Sequence, residues 1–171
     1  PAGAESCAWR VLSGSVRLDQ VEGEEREFAM LALPGDVIGA ETLLFGRTTF
    51  EARALANCSL EPWLEDAGAP SGDTLLGMLA MAARRTSEIV NLRCGQALGR
   101  VRRLIELLTR EHRGKPQRTA LPGLRDMAEI TDLTIETVSR AIGRLTLDGV
   151  LSREGKRGAT LARHRHVQVS G

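Results

Sequence analysis

The chain has 171 residues, 42% hydrophobic and 26% charged, the composition of a folded protein with room for one large domain or two small ones. No apolar run approaches the ~18 residues needed to cross a bilayer, and Pro1-Ala2-Gly3-Ala4-Glu5 has neither the basic nor the apolar region of a secretory signal. The formal net charge is only +1, so bulk charge does not point to nucleic acid, but its distribution does: Glu22, Glu24, Glu25 and Glu27 mark the first part, and basic residues crowd the chain from Arg100 onward.

Residues 8–62 read as strands and turns. Residues 9–12 form a strand that runs into the turn Ser13-Gly14, and residues 16–21 alternate apolar and polar as a half-buried strand does. Residues 22–25 read as a hairpin loop, 28–33 as the return strand, Pro34-Gly35-Asp36 as a turn, and 37–39 as a further strand. Short strands punctuated by Gly and Pro predict a sandwich, barrel or jelly roll. Residues 64–73 are small and polar and read as a connection. A long helix then starts near Thr74. Its residues Leu75, Leu79, Ala82, Thr86, Ile89 and Arg93 alternate in spacing between four and three, a heptad-like stripe suited to packing against a second copy. Gly95 and Gly99 are expected to break this helix, and Val101, Leu104, Ile105, Leu107 and Leu108 define the next, which stops before Gly114-Lys115-Pro116.

The remainder reads as a second domain. Residues 118–121 form a short strand and 124–130 a short helix; Thr131-Asp132-Leu133 is a tight turn, and residues 135–147 a second helix. Thr134 occupies the N-cap position and Gly149 the left-handed C-terminal one. Residues 150–153 and 159–161 pair around a basic, Gly-rich tip, so the segment is a winged helix-turn-helix. The expected fold class is α+β: a jelly-roll sensor over 1–70, a dimerisation helix and its successor over 71–116, and the winged helix-turn-helix over 117–171.

On the second helix Ile135, Glu136, Ser139 and Arg140 share one outward face, while Met127, Ala128, Val138, Ile142 and Leu145 supply the buried side. A guanidinium can bond guanine O6 and N7 together, and a carboxylate can accept from cytosine N4, so this face is suited to reading base edges in double-stranded DNA. Thr134, Arg144, Lys156 and Arg157 are placed for phosphate, which supplies salt-dependent affinity without sequence information.

Residues 133–142, Leu-Thr-Ile-Glu-Thr-Val-Ser-Arg-Ala-Ile, resemble the recognition helix of the Crp/Fnr family of bacterial transcription regulators. Residues 11–18 and 33–39 resemble strands and a turn of that family's cyclic-nucleotide-binding-like jelly roll, and the helix from about Thr74 resembles its dimerisation helix. The resemblance implies a homodimer that binds a palindrome, RNA polymerase as a partner, and a jelly roll whose first strands precede Pro1. Glu136, Ser139 and Arg140 match the Fnr-like branch, which implies a TTGA-type half-site; the cAMP-receptor branch has Arg where this chain has Ile135. Family members usually have Gly where this chain has Asp132, a residue that tolerates the left-handed conformation. Gly39, Glu41, Arg47 and Thr48 are the candidate effector pocket, but their spacing is short for a cyclic-nucleotide cassette and its Ala is missing, so no cyclic nucleotide is expected.

Cys7, Cys58 and Cys94 are far apart and odd in number, which argues for reduced thiols in a cytoplasmic protein and against a zinc site or iron–sulfur cluster held by this chain alone. His112, His164 and His166 read as surface residues, and no heme pattern is legible. No cofactor or metal is therefore expected. No nucleophile–base pair, metal-ligand spacing or phosphate-cradling loop is present, so an enzyme is not expected either. The alternative to a DNA-binding regulator is a ligand-sensing module whose winged helix contacts protein. The sequence leaves open the signal, the target genes and whether transcription rises or falls.

Overall fold

Turn residues and period-two apolar spacing divide the first part of the chain into short strands. The structure, a computed structural model, describes residues 8–63, 72–110, 119–154 and 158–161. Strands β1 (Ala8–Ser13), β4 (Val37–Ile38) and β6 (Ser59–Trp63) form one antiparallel sheet in the order β4-β1-β6. Strands β2 (Val16–Glu22), β3 (Glu25–Ala32) and β5 (Phe50–Ala54) form a second in the order β3-β2-β5. Val11, Val16, Leu18, Ala32 and Ile38 form a core of their own, with Met30, Phe50 and Cys58 packed on it. The β1–β2 turn needs glycine: Gly14 has φ +85°, and a Cβ there would lie 2.4 Å from the Asn57 carbonyl oxygen.

Two local readings change. The loop expected over residues 22–25 tightens to Gly23-Glu24, because Glu22 pairs with Glu25 and Gly23 takes φ +63°; β3 therefore begins before Phe28. Residues 41–45 form a short helix, α1 (Glu41–Phe45), tied at its start by the Thr42 hydroxyl donating to the Gly39 carbonyl at 2.6 Å. Five residues are too few to display a helical period in the sequence.

The long helix is α2 (Gly72–Arg93), and α3 (Ala97–Leu108) follows it. Gly95, at φ +84°, makes the break, whereas Gly99 lies inside α3 and breaks nothing. Arginines of α3 bond one terminal carbonyl of α2 and two carbonyls of the link that follows it. Arg103 donates to the Asn91 carbonyl at 3.0 Å and to that of Cys94, and Arg100 donates to the Gly95 carbonyl at 2.9 Å. Among the described residues no helix is long and apolar enough to cross a membrane.

The second half comprises β7 (Thr119–Ala120), α4 (Leu124–Thr131), α5 (Ile135–Leu147), β8 (Leu151–Glu154) and β9 (Gly158–Leu161), with the strands ordered β7-β9-β8. Its core is continuous with that of the first half. Phe28, Leu31 and Leu33 join Leu92, the apolar side of α3, and the facing sides of α4 and α5 in one buried cluster.

A bulge makes that continuity possible. Leu18 pairs with Met30 and Asp19 with Phe28, so Ala29 is the extra residue. The slip reverses the alternation of β3 and puts Phe28 on the same face as Leu31 and Leu33, toward the helices. The polar residues of β2 share that face. Arg17 is only 2% exposed and Asp19 3%, so β2 is buried on both faces here, not on one as its alternation implies.

Candidate nucleic-acid interface

The helix-turn-helix is shaped by one left-handed residue and one cap. Asp132, at φ 53°, closes α4 with its amide on the Ala128 carbonyl, and the Leu133 amide reaches the same carbonyl at 2.9 Å. Arg100 of α3 donates to the carbonyls of Thr131 and Asp132 at 3.3 Å each, which holds the turn from behind. Sequence reading registers Arg100 only as part of a basic run; the contact joins segments 31 and 32 residues apart. Thr134 is extended, and its hydroxyl accepts from the Thr137 amide at 3.3 Å, so α5 starts there in a new direction.

Helix α5 buries Val138, Ala141, Ile142 and Leu145 against Met127, Ala128 and Ile130 of α4. Ile135, Glu136, Ser139 and Arg140 are all exposed, on its first two turns. Arg140 donates to the Thr137 hydroxyl at 3.3 Å, and among the described residues no ion pair joins it to Glu136. The Glu136 carboxyl titrates below its ordinary range, chiefly because its own backbone N–H and then the Thr134 hydroxyl bond it, with the Arg140 charge a lesser influence. At neutral pH this face therefore offers a carboxylate acceptor, a hydroxyl and a charged guanidinium to whatever approaches it. Arg144 pairs with Asp148 at 3.0 Å on the exposed end of the helix. Strands β8 and β9 form the hairpin of the wing, and Lys156 and Arg157 lie outside the described residues.

The candidate effector residues do not converge. Gly39 and Glu41 line a cavity of about 420 Å³ whose walls are chiefly apolar: Leu18, Met30 and Phe50 from the strands, and Met78, Leu79 and Met81 from α2. Arg47 and Thr48 are exposed and are not part of these walls, because α1 turns the chain outward between Glu41 and Arg47. Glu41 accepts from the Thr49 amide at 3.4 Å. Arg85, the basic residue of the walls, is bonded to Asp36 at 2.8 Å and to Glu88. Glu88 also receives Arg84 at 3.3 Å and Arg110 at 2.7 Å. Burial alone would raise its pKa, but these arginines, Arg110 foremost, hold it below the ordinary range.

The outer face of α2 carries an exposed stripe in a register slightly different from the expected one. Leu76, Leu79, Ala83, Thr86 and Val90 are exposed, at spacings of three and four, and Ala82 is exposed beside them. Ile89, expected in the stripe, is half-buried and packs on the large core near Leu92. Arg93 turns its guanidinium over the Phe28 ring at 5.3 Å. The side chain of Leu75 lies outside the described residues.

No family model matches this sequence, and no curated protein matches it. Solved structures do. FixK2 from Bradyrhizobium japonicum is 28% identical, with a TM-score of 0.66 over 91% of this chain and 82% of its own. A CRP/FNR-family transcriptional regulator from Thermus thermophilus is also 28% identical, with a TM-score of 0.58 over 94% of this chain and 84% of its own. A CRP-family regulator from the same organism is 19% identical, covers 91% of this chain and 83% of its own, and shares the fold with a TM-score of 0.65. The two sheets, the long helix and the helix-turn-helix thus recur together in transcription regulators.

Proposed function

We infer that this chain, a transcription regulator of the Crp/Fnr family, binds a palindromic TTGA-type site as a homodimer, with α5 of each protomer in a major groove. The observation that carries this reading is the face of α5: Ile135, Glu136, Ser139 and Arg140 are uncovered at the start of a capped helix, where recognition helices present base-reading groups. Arg140 reads guanine and Glu136 accepts from cytosine, and Ile135 and Ser139 complete the surface. Thr134, Arg144, Lys156 and Arg157 engage phosphate. In this division of labour residues 1–70 sense, 71–116 pair the protomers and 117–171 read, and RNA polymerase is the downstream partner that family membership suggests.

Two-fold symmetry matches two α5 helices to half-sites about one helical turn apart. The exposed stripe of α2 supports the pairing, since Leu79, two-thirds exposed, and Val90 offer apolar surface that a second α2 would cover. In this reading the cavity beside α2 takes no cyclic nucleotide. Its basic residue, Arg85, is already neutralised by Asp36 and Glu88, and Arg47 stands away from the walls, so no free cation among the described residues faces a cyclic phosphate.

Gel-shift titration on a TTGA palindrome and a scrambled duplex tests the proposal. Arg140→Ala is expected to lose ~1–3 kcal/mol and to relax selection at one G·C pair. Lys156→Ala should weaken both duplexes alike and flatten the salt dependence. Equal binding of both duplexes by wild type and by Arg140→Ala would refute the assignment of α5 as reader.

A further inference from the structure

The reader is joined to the sensor by an ionic junction built on a buried arginine. Arg17, Leu31 and Arg53 are opposed across β3-β2-β5 and so share one face of that sheet, as do Asp19 and Phe28. Helix α4 lies over this face. The Arg17 guanidinium, 3% exposed, bonds Asp19 of its own strand at 2.5 Å, and on α4 it bonds Asp126 at 3.2 Å and also Glu129. Arg53 reaches Asp126 at 2.5 Å. Two cations approach the Phe28 ring, Arg17 at 5.6 Å and Arg93 at 5.3 Å from its centroid. Arg93, at the end of α2, also reaches the carbonyls of Glu129 at 3.4 Å and Ile130 at 3.5 Å. Strands β2, β3 and β5, the end of α2 and the first helix of the reader thus meet at a few charged groups and one ring.

We infer that the junction of Arg17 and Arg53 with Asp126 and Glu129 is a positioning device that sets the angle of the recognition helix relative to the dimer axis, and thereby the half-site spacing the protein accepts. Apolar contact is non-directional and would tolerate sliding of α4 over the sheet. A buried guanidinium shared among carboxylates does not, because displacement leaves charges desolvated and unpaired. The angle passes to α5 because α4 and α5 share a core and a turn held by Arg100. The junction leaves the reading face open, since Ile135, Glu136, Ser139 and Arg140 are exposed while it is formed. It therefore orients the reader and does not conceal it.

This inference rests on the homodimer reading, and its test separates the two. The full chain carrying Asp126→Asn with Glu129→Gln, altered on the more exposed side of the junction, is compared with Arg17→Met and wild type. Binding is measured to single half-sites and to palindromes with spacers lengthened or shortened in steps. Two linked readers gain avidity only when both engage, so the variants should lose roughly tenfold on the preferred spacing, keep half-site affinity, and accept other spacings more evenly. Hydrogen exchange should rise in α4 and along β3 without general unfolding. Unchanged exchange in both variants, an unchanged spacing profile, or tighter binding to the preferred palindrome would each overturn the inference. A wild type with no advantage for the palindrome over its half-site would defeat the homodimer reading, and exchange in α4 would still decide whether the junction docks the reader.

Discussion

Two residues at the helix-turn-helix show how much a single side chain carries. Asp132 is the one described non-glycine residue with positive φ, at 53°. It occupies the position where the turn must reverse, and its short polar side chain makes that conformation accessible where a branched one would clash. Thr134 then satisfies the Thr137 amide, a donor that would otherwise be unpaired at the start of α5. Thr134→Ala should lower stability by ~0.5–2 kcal/mol, and Thr134→Ser should restore most of it. Denaturant midpoints at an unchanged slope check this. No difference between the alanine and serine variants would mean that the hydroxyl does not act as a cap.

Among the elements, α2 has two unlike sides, one packed in the protomer's own core and one exposed that the proposed dimer would cover. Leu92 is buried and Ile89 half-buried against the protomer's own core, while Val90 between them is 56% exposed. Substitutions at neighbouring positions should therefore separate folding from association. Val90→Glu is expected to weaken self-association by roughly tenfold or more with little change in protomer stability, since it places charge in a seam between helices. Ile89→Ala should instead destabilise the protomer by ~2 kcal/mol or more through lost core packing. Sedimentation equilibrium and thermal unfolding read the two effects. A dimer weakened by the Ile89 variant alone would restore the register that the sequence implies.

For the whole molecule, ionic junctions join parts that the chain separates. Glu88 links α2 to Arg110 beyond α3, and Glu129 links α4 to Arg17 of β2. Burial opposes ionisation of Glu129, but hydrogen bonds from Arg125 and Arg17 outweigh it and lower its pKa, as the arginines lower that of Glu88. Because both carboxyls hold protons less tightly folded than unfolded, the unfolded chain binds more protons in acid, and stability there rises with pH. Their contribution is complete above the ordinary glutamate range and is lost as pH falls through their lowered values. The unfolding midpoint should accordingly drop on acidification below that range, and Glu129→Gln should flatten the drop. Identical pH profiles for that variant and wild type would show that Glu129 takes no part in it.

The sequence by itself determined the helix-turn-helix. A cap at Thr134, a turn at Asp132 and a helical period over residues 135–147 are local signals, and each acts within a few residues of itself. It also implied the alternation of β2, which separates Val16 and Leu18 from Arg17 and Asp19. What covers each face is not local. Alternation assigns side chains to opposite faces of a strand but does not say that a helix arriving much later in the chain will lie on the polar one. Arg17 meets Asp126 and Glu129 across separations of 109 and 112 residues, and the bulge at Ala29 brings Phe28 to the same contact. Only the tertiary structure decided that the polar side of β2 is an interior joining the sheets to the helix-turn-helix, because burial of a charge depends on the partners that reach it.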